Sequence, residues 1–180
     1  MNSIQFKPLQ TSDTGLLQKW MNVDFVTRWY EKRKFVYDDV EKKLGNQVQG
    51  TLPVDSYIVY YHSEPVGYIH TYKISHYPGY ASCVQVKEDS AGLDMFIGEK
   101  DYLHKGLGKD IVQLFLQEVV FKKDGIEHCI VGPEPEHKAA IRVFEKAGFR
   151  YLKTVQCTGA KDPEYLMVID KHGEYVVFKR

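Results

Sequence analysis

Residues 94–110, DMFIGEKDYLHKGLGKD, constrain the chain more than any other stretch. Met95, Phe96 and Ile97 form an apolar run of strand type, and the segment then breaks at Gly98, Gly106 and Gly108. Beyond the last glycine, Ile111, Val112, Leu114, Phe115 and Val119 recur at helical spacing. Strand, glycine turn and helix is the order that an anion site requires. Glycine lets the backbone approach a ligand, and the first N–H groups of a helix have no intrahelical acceptor. Lys105 and Lys109 add positive charge at the same end. Two glycines spaced by one residue also occur in ordinary loops. The G-x-x-x-x-G-K-[ST] phosphate loop is absent, and Ile111 stands where a dinucleotide fingerprint has its third glycine.

A chain of 180 residues, 43% hydrophobic and 27% charged, has material for one full core, so a single domain over 1–180 is expected. Lys+Arg and Asp+Glu each number 24. That balance gives no global field to draw in nucleic acid or an anionic membrane, so neither is expected as a partner. The three cysteines, Cys83, Cys129 and Cys157, are odd in number and lack metal-ligand spacing, which suits a reducing cytoplasm and no metal. No signal peptide and no run long enough to cross a bilayer is seen.

Taken in order, alternation over 4–9 predicts a strand. Thr11, Ser12 and Asp13 can cap a helix carrying Leu16, Leu17, Trp20 and Met21 on one face. A helical piece over 24–30 and another from Asp38 through Val40, Leu44 and Val48 follow, then a loop over 50–55. Strands over 57–61 and 66–74 flank His62, Ser63 and Glu64 as a hairpin. Residues 75–91 lack periodicity and are expected to be loop with some strand. The helix opened at Gly108 should run to about Phe121, and Gly125 marks a stop before a strand over 127–131. Ala140, Ile141, Phe144 and Ala147 give 138–147 an apolar face closed by Gly148. Strands over 149–155 and 165–169 come next, with an edge strand over 175–178.

This order resembles the GCN5-related N-acetyltransferases. Residues 94–108 look like that family's acetyl-CoA motif, and 134–149, ending AIRVFEKAGF, like its second motif. More narrowly, the chain is similar to the aminoglycoside 6'-N-acetyltransferases. The marks are Trp20 with Trp29 and Tyr30, the run PVGY (65–68) through Tyr72, GLDMFIGE (92–99), and Tyr165, Leu166 and Met167, together spanning roughly residues 4 to 170. The resemblance implies an α/β fold: one mixed, mostly antiparallel sheet of about six or seven strands. It further implies helices on both faces and a V-shaped splay between two central parallel strands. Departures from the pattern are Leu103 for a Gln or Arg, His137 for an Asn, Phe144 for a Tyr that often protonates the leaving thiolate, and Gly132 for an acid.

The implied chemistry moves an acetyl group from acetyl-CoA, a co-substrate, to an amine. Most alkyl amines are protonated at neutral pH, so a nearby carboxylate must take a proton directly or through water. The resemblance assigns this role to Asp94, and a charged residue in an apolar strand does need a partner or a cavity. It implies that the backbone at Phe96 and Ile97 meets the oxyanion. The N–H groups of His104, Lys105, Gly106, Leu107, Gly108 and Lys109 would meet pyrophosphate, with His137 against pantetheine. A polycationic, hydroxylated acceptor wants acids and aromatic faces. Trp29, Tyr30, Tyr72, Glu88, Asp89, Asp94, Asp162 and Glu164 are the candidates. His137 and Tyr102 are polar groups in suitable segments for protonating sulfur, and the donor stays unassigned. A cytoplasmic enzyme, monomer or homodimer, acting in aminoglycoside resistance is the leading expectation. The alternatives are another amine acceptor (a siderophore hydroxylysine, a polyamine, a protein N-terminus) or an acetyl-CoA-binding module without catalysis.

Overall fold

The computed structural model describes residues 3–30 and 32–173. The edge strand expected over 175–178 lies outside the described residues. Among the described residues seven strands form one sheet in the order β1-β2-β3-β4-β5-β7-β6. They are β1 Ile4–Pro8, β2 Val54–Tyr61, β3 Glu64–Lys73, β4 Ser90–Ile97, β5 His128–Val131, β6 Arg150–Val155 and β7 Glu164–Asp170. The helices are α1 Thr14–Met21, α2 Asp24–Thr27, α3 Tyr37–Val48, α4 Pro78–Val84, α5 Leu107–Glu118 and α6 Lys138–Ala147. β1 runs antiparallel to β2, β5 to β7 and β6 to β7. The parallel pair is β4 with β5, through Ser90–His128, Ala91–Cys129 and Gly92–Ile130, while β4 itself runs on to Ile97.

The chain forms two compact units, Met1–Thr71 with Asp94–Leu107, and Tyr72–Leu93 with Gly108–Arg180. In the first, Leu17, Trp20, Met21, Val40, Leu44 and Phe96 share one buried cluster. Its helices are amphipathic at the spacing read from the sequence, and each large side chain removed from water contributes about 1.5–3 kcal/mol. Trp20 is fully buried, and its ring lies flat against Gly98, where any Cβ would collide with it. The indole N–H donates to Glu99 at 2.8 Å and Lys19 Nζ to the same oxygen at 2.6 Å, so the buried donor is satisfied. The β2–β3 turn is made by two non-glycine residues in the left-handed region, His62 (φ 48°) and Ser63 (φ 71°). Two successive positive φ values match the twist of a tight hairpin.

The second unit departs from the sequence reading over 75–91. Proline opens α4 at its first turn, where the missing N–H is no loss, and the helix ends at Gln85 in the left-handed region. Seven residues give too few turns for a visible period, so only Tyr80, Ala81 and Val84 mark its inner face, packed with Ile130, Leu166 and Val168. β4 begins five residues earlier than the apolar run alone indicated, at Ser90. α6 ends as expected, with Gly148 at φ 107° donating to Glu145 and Phe144 carbonyls.

The cysteine expectation is corrected. Cys83 at the end of α4 and Cys157 just beyond β6 form a disulfide across 74 residues of sequence, and Cys129 is buried on β5 outside it. An odd count therefore left one pair possible, and only the packing of α4 brought those two together.

Closing so long a loop restricts the unfolded chain and is worth about 4 kcal/mol on an entropy model, with measured cases commonly 2–4 kcal/mol. Air-oxidised protein should therefore show a urea midpoint that falls on adding dithiothreitol, and Cys157→Ser should start at the reduced value. Equal midpoints for all three would mean that the crosslink does not form.

Candidate active site

Asp94 lies in the middle of β4. His70 Nε2 on β3 stands 3.4 Å from Asp94 Oδ2, and the His70 side chain is only 12% exposed while that of Asp94 is 51% exposed. The pair is thus a buried imidazole holding an open carboxylate. Protein crowding around Asp94 pushes its carboxyl up, but the hydrogen bond from His70, the His70 charge and the charge of Lys43 on α3 together outweigh this. The net result is a carboxyl below its ordinary range. Asp94 is therefore ionised at neutral pH.

Backbone contacts around this pair are tight. A Cβ on Gly67 would run into the Phe96 carbonyl, so only glycine fits there on β3. His70 packs on Tyr68 (5.5 Å between ring centroids), Tyr68 on Phe96 (5.5 Å), and Tyr30 meets Phe96 edge-on at 5.0 Å. The Tyr68 hydroxyl sits within hydrogen-bond distance of Ser56 Oγ (3.0 Å) and donates to Gln47 (3.2 Å). Burial drives its pKa up to about 12, so it stays a neutral donor. Beyond the strand, the Gly98 N–H donates to the Val66 carbonyl at 2.9 Å and so faces β3. Successive strand amides point to opposite edges, which puts the Ile97 N–H on the edge away from β3 and that of Phe96 toward β3. The two residues named together from the sequence are thus separated, and Ile97 is the one with an outward amide.

The glycine turn is open. His104, Lys105 and Gly106 are exposed, with positive φ at His104 (60°) and Gly106 (82°). Among the described residues their amides have no protein acceptor. A Cβ at Gly106 would meet nothing within 4 Å, so that glycine serves backbone conformation alone. Gly108 has another reason: a Cβ there would lie 3.3 Å from Val143 on α6, so it serves helix packing. Lys109 is spent locally, on Asp110 at 2.7 Å. His137 is the residue before α6, its N–H bonded to the Glu134 carbonyl at 2.9 Å.

The acceptor candidates fall into separate groups. Tyr30 joins Phe96 and Lys43, whose Nζ is 5.3 Å from the Tyr30 ring centroid. Trp29 is half-buried with Arg28 over its ring at 5.3 Å. In the second unit, Tyr72 lies on Gly92 and meets Tyr77 edge-on at 5.1 Å. The Glu164 carboxylate accepts from the Tyr80 hydroxyl at 2.7 Å and fills the space where a side chain on Gly132 would sit. A carboxylate thus occupies the neighbourhood of position 132 although the residue there is glycine. Glu88 is exposed before β4, and Asp162 is half-buried before β7. Asp89 differs from the rest. Its Oδ1 is 2.8 Å from Nδ1 of the buried His128, and its carbonyl accepts from the Glu127 and His128 amides. It lies just before β4, and these contacts tie it to the start of the β4–β5 ladder.

Residues 10–157 match the family described as acetyltransferase (GNAT) domain. The chain belongs to this family. Within the GNAT family, it is similar to an aminoglycoside N(6')-acetyltransferase type 1 of Klebsiella pneumoniae, 27% identical over 86% of this chain and 77% of the relative. A kanamycin resistance protein of Rhizobium radiobacter is 36% identical over a shorter stretch, 36% of this chain and 58% of the relative. Among solved GNAT structures, AAC(6')-Ib in complex with paromomycin and acetyl-CoA superposes with a TM-score of 0.86 at 25% identity, covering 96% of each chain. The same enzyme with coenzyme A and kanamycin gives 0.85 at 26% identity, over 95% of this chain and 96% of that one. The seven-stranded mixed sheet with its parallel pair is the GNAT fold expected from the sequence.

Two residues that bear on Asp94 are not among the candidates read from the sequence, His70 and Lys43. His70 lies on β3 across from Asp94 on β4, and a histidine in a strand facing an acid is the signal available for it. Lys43 carried none, since a lysine between two buried apolar helix positions reads as a surface residue. Phe144 is 7% exposed and stacked edge-on with Phe149 at 5.5 Å, so it is core and offers no proton.

Removing His70 with a His70→Phe change takes away both the bond and the charge that hold Asp94 low, while crowding remains. NMR titration of the side-chain carboxyl carbons should then find the Asp94 midpoint raised from that of the parent, with the Lys43 charge still acting on it. A group held low in the folded state adds stability in full above its unfolded pKa and loses it as pH falls through the folded value. Acid unfolding of the variant should accordingly begin at higher pH than in the parent. An unmoved midpoint would detach His70 from Asp94.

Proposed function

We propose that the chain is an acetyl-CoA-dependent N-acetyltransferase acting on the 6'-amino group of aminoglycosides, the activity for which the similar enzymes are named. The observation that carries the reading is Asp94: an ionised, half-open carboxylate in the middle of β4, three residues before the outward amide of Ile97. Likeness to AAC(6')-Ib with its acetyl-CoA and aminoglycoside, along 96% of both chains, supports it. Among the described residues no helix is long and apolar enough to cross a membrane, and no group of metal-ligating side chains is found.

Acetyl-CoA supplies the thioester. The amides of His104, Lys105 and Gly106, open and without protein acceptors, would receive its diphosphate, with Lys105 adding charge and the following N–H groups of α5 continuing the cradle. Asp94 orients the incoming ammonium and takes its proton, directly or through water. A carboxylate held below its ordinary range is a weak base for so basic an amine, so electrostatic anchoring carries more of its effect than proton abstraction, and the proton leaves through water to bulk solvent. Ile97 N–H meets the negative charge that develops on the acyl oxygen. The leaving thiolate needs no strong donor, because a thiol of pKa about 8.5 is a fair leaving group, and this accommodates phenylalanine at 144. Tyr30 and Trp29 offer ring faces to sugars.

Thiol release from acetyl-CoA with kanamycin, spermidine, lysine and a short peptide tests the reading, and kanamycin should be turned over with the highest kcat/KM. Asp94→Asn should lower kcat by about ten- to a hundred-fold with little change in acetyl-CoA affinity by calorimetry. A variant as fast as the parent across pH would remove Asp94 from the reaction, and preference for spermidine or the peptide would move the acceptor to another amine class.

A further inference from the structure

Lys43 sits between the buried α3 residues Val40 and Leu44, each 1% exposed. Those neighbours fix the helix face, so the lysine stem must run along an apolar recess that Leu17, Met21 and Phe96 also line. Its Nζ ends 5.3 Å from the Tyr30 ring centroid and 6.0 Å from that of Phe35. Tyr30 in turn lies 5.0 Å from Phe96, two residues after Asp94 and therefore on the same strand face. Arg33, the other cation over Phe35 at 3.9 Å, is engaged with Asp39 at 3.0 Å. Among the described residues, the charges that lower the Asp94 carboxyl are those of His70 and Lys43.

We infer that Lys43 determines acceptor specificity: its ammonium occupies the aromatic recess beside Asp94 as a built-in cation, and so disfavours acceptors that bring several positive charges alongside the reacting amine. Aromatic faces and a carboxylate are what a polycationic ligand would otherwise use. Here the protein has placed its own cation among them. Burial pulls the Lys43 ammonium below the usual lysine range and the Asp94 charge pulls it back, so each charge moderates the other. A multiply charged acceptor must then share Asp94 with Lys43 and meet its repulsion, whereas an amine with neutral neighbours meets only the shared carboxylate. The inference rests on the reading that Asp94 faces the acceptor.

The test compares Lys43→Met, which keeps the stem and deletes the charge, with Lys43→Arg, which keeps the charge. Kanamycin serves as a many-amine acceptor and cyclohexylmethylamine as a single-amine one, both followed by thiol release. Lys43→Met should lower KM for kanamycin about ten-fold at low salt and change that for the monoamine less than about two-fold, with the difference shrinking in high salt. Lys43→Arg should keep the parental KM ratio. A packing role alone would move both acceptors together, and an unchanged or rising kanamycin-to-monoamine KM ratio in folded Lys43→Met overturns the inference while leaving the acetyltransferase reading intact. Should Lys43→Met not fold, Lys43→Gln gives the same comparison. If the parent releases no thiol with either acceptor, the reading of Asp94 fails and this inference fails with it.

Discussion

The contact between His70 and Asp94 is the constraint on which the candidate site depends. A carboxylate among apolar strand neighbours is costly unless its charge is met, and here a nearly buried imidazole meets it from β3. The geometry follows from what surrounds it. Gly67 has no Cβ, so β3 and β4 can close to contact at Phe96, and Tyr68 is held by Ser56 and Gln47. The carboxylate is left charged and facing outward, as a site for a cationic amine requires.

The turn after β4 meets a different requirement. In the proposed function this turn would receive a diphosphate through main-chain N–H groups, for which the local backbone matters more than side-chain identity. Positive φ at His104 and Gly106 shapes that backbone, and Gly108 lets α5 approach α6. Substituting either glycine would disturb the same segment for unrelated reasons, one conformational and one steric. In the second unit, Tyr80, Glu164 and Gly132 form another interdependent group: the small residue makes room for the acid, and the phenol fixes it.

Much of this was legible before any coordinates. Alternation, apolar runs and helical spacing located every strand described and all the helices except α4, and the strand, glycine turn and helix around residues 94–110 were expected from local pattern alone. α4 escaped because its seven residues, with a proline at the start, cannot display a helical period. The pairing of Cys83 with Cys157 escaped because spacing in the chain says nothing of which residues a short helix will carry toward a strand end. Asp89 and Asp94 look alike in the sequence, yet one is fixed to His128 and the other stands open beside His70. Their environments differ because each meets a different neighbouring strand.

Sequence by itself determined the strand, turn and helix around residues 94–110, the GNAT order of elements and the presence of an acid in the middle of β4. These are local properties, since side-chain period, glycine conformation and helix ends are set within a few residues. Tertiary structure decided which carboxylate is held and by what, which of two adjacent amides faces outward, and that Lys43 brings a positive charge to bear on Asp94. Those depend on pairing across strands and helices far apart in the chain, and burial and charge act through space rather than along the backbone.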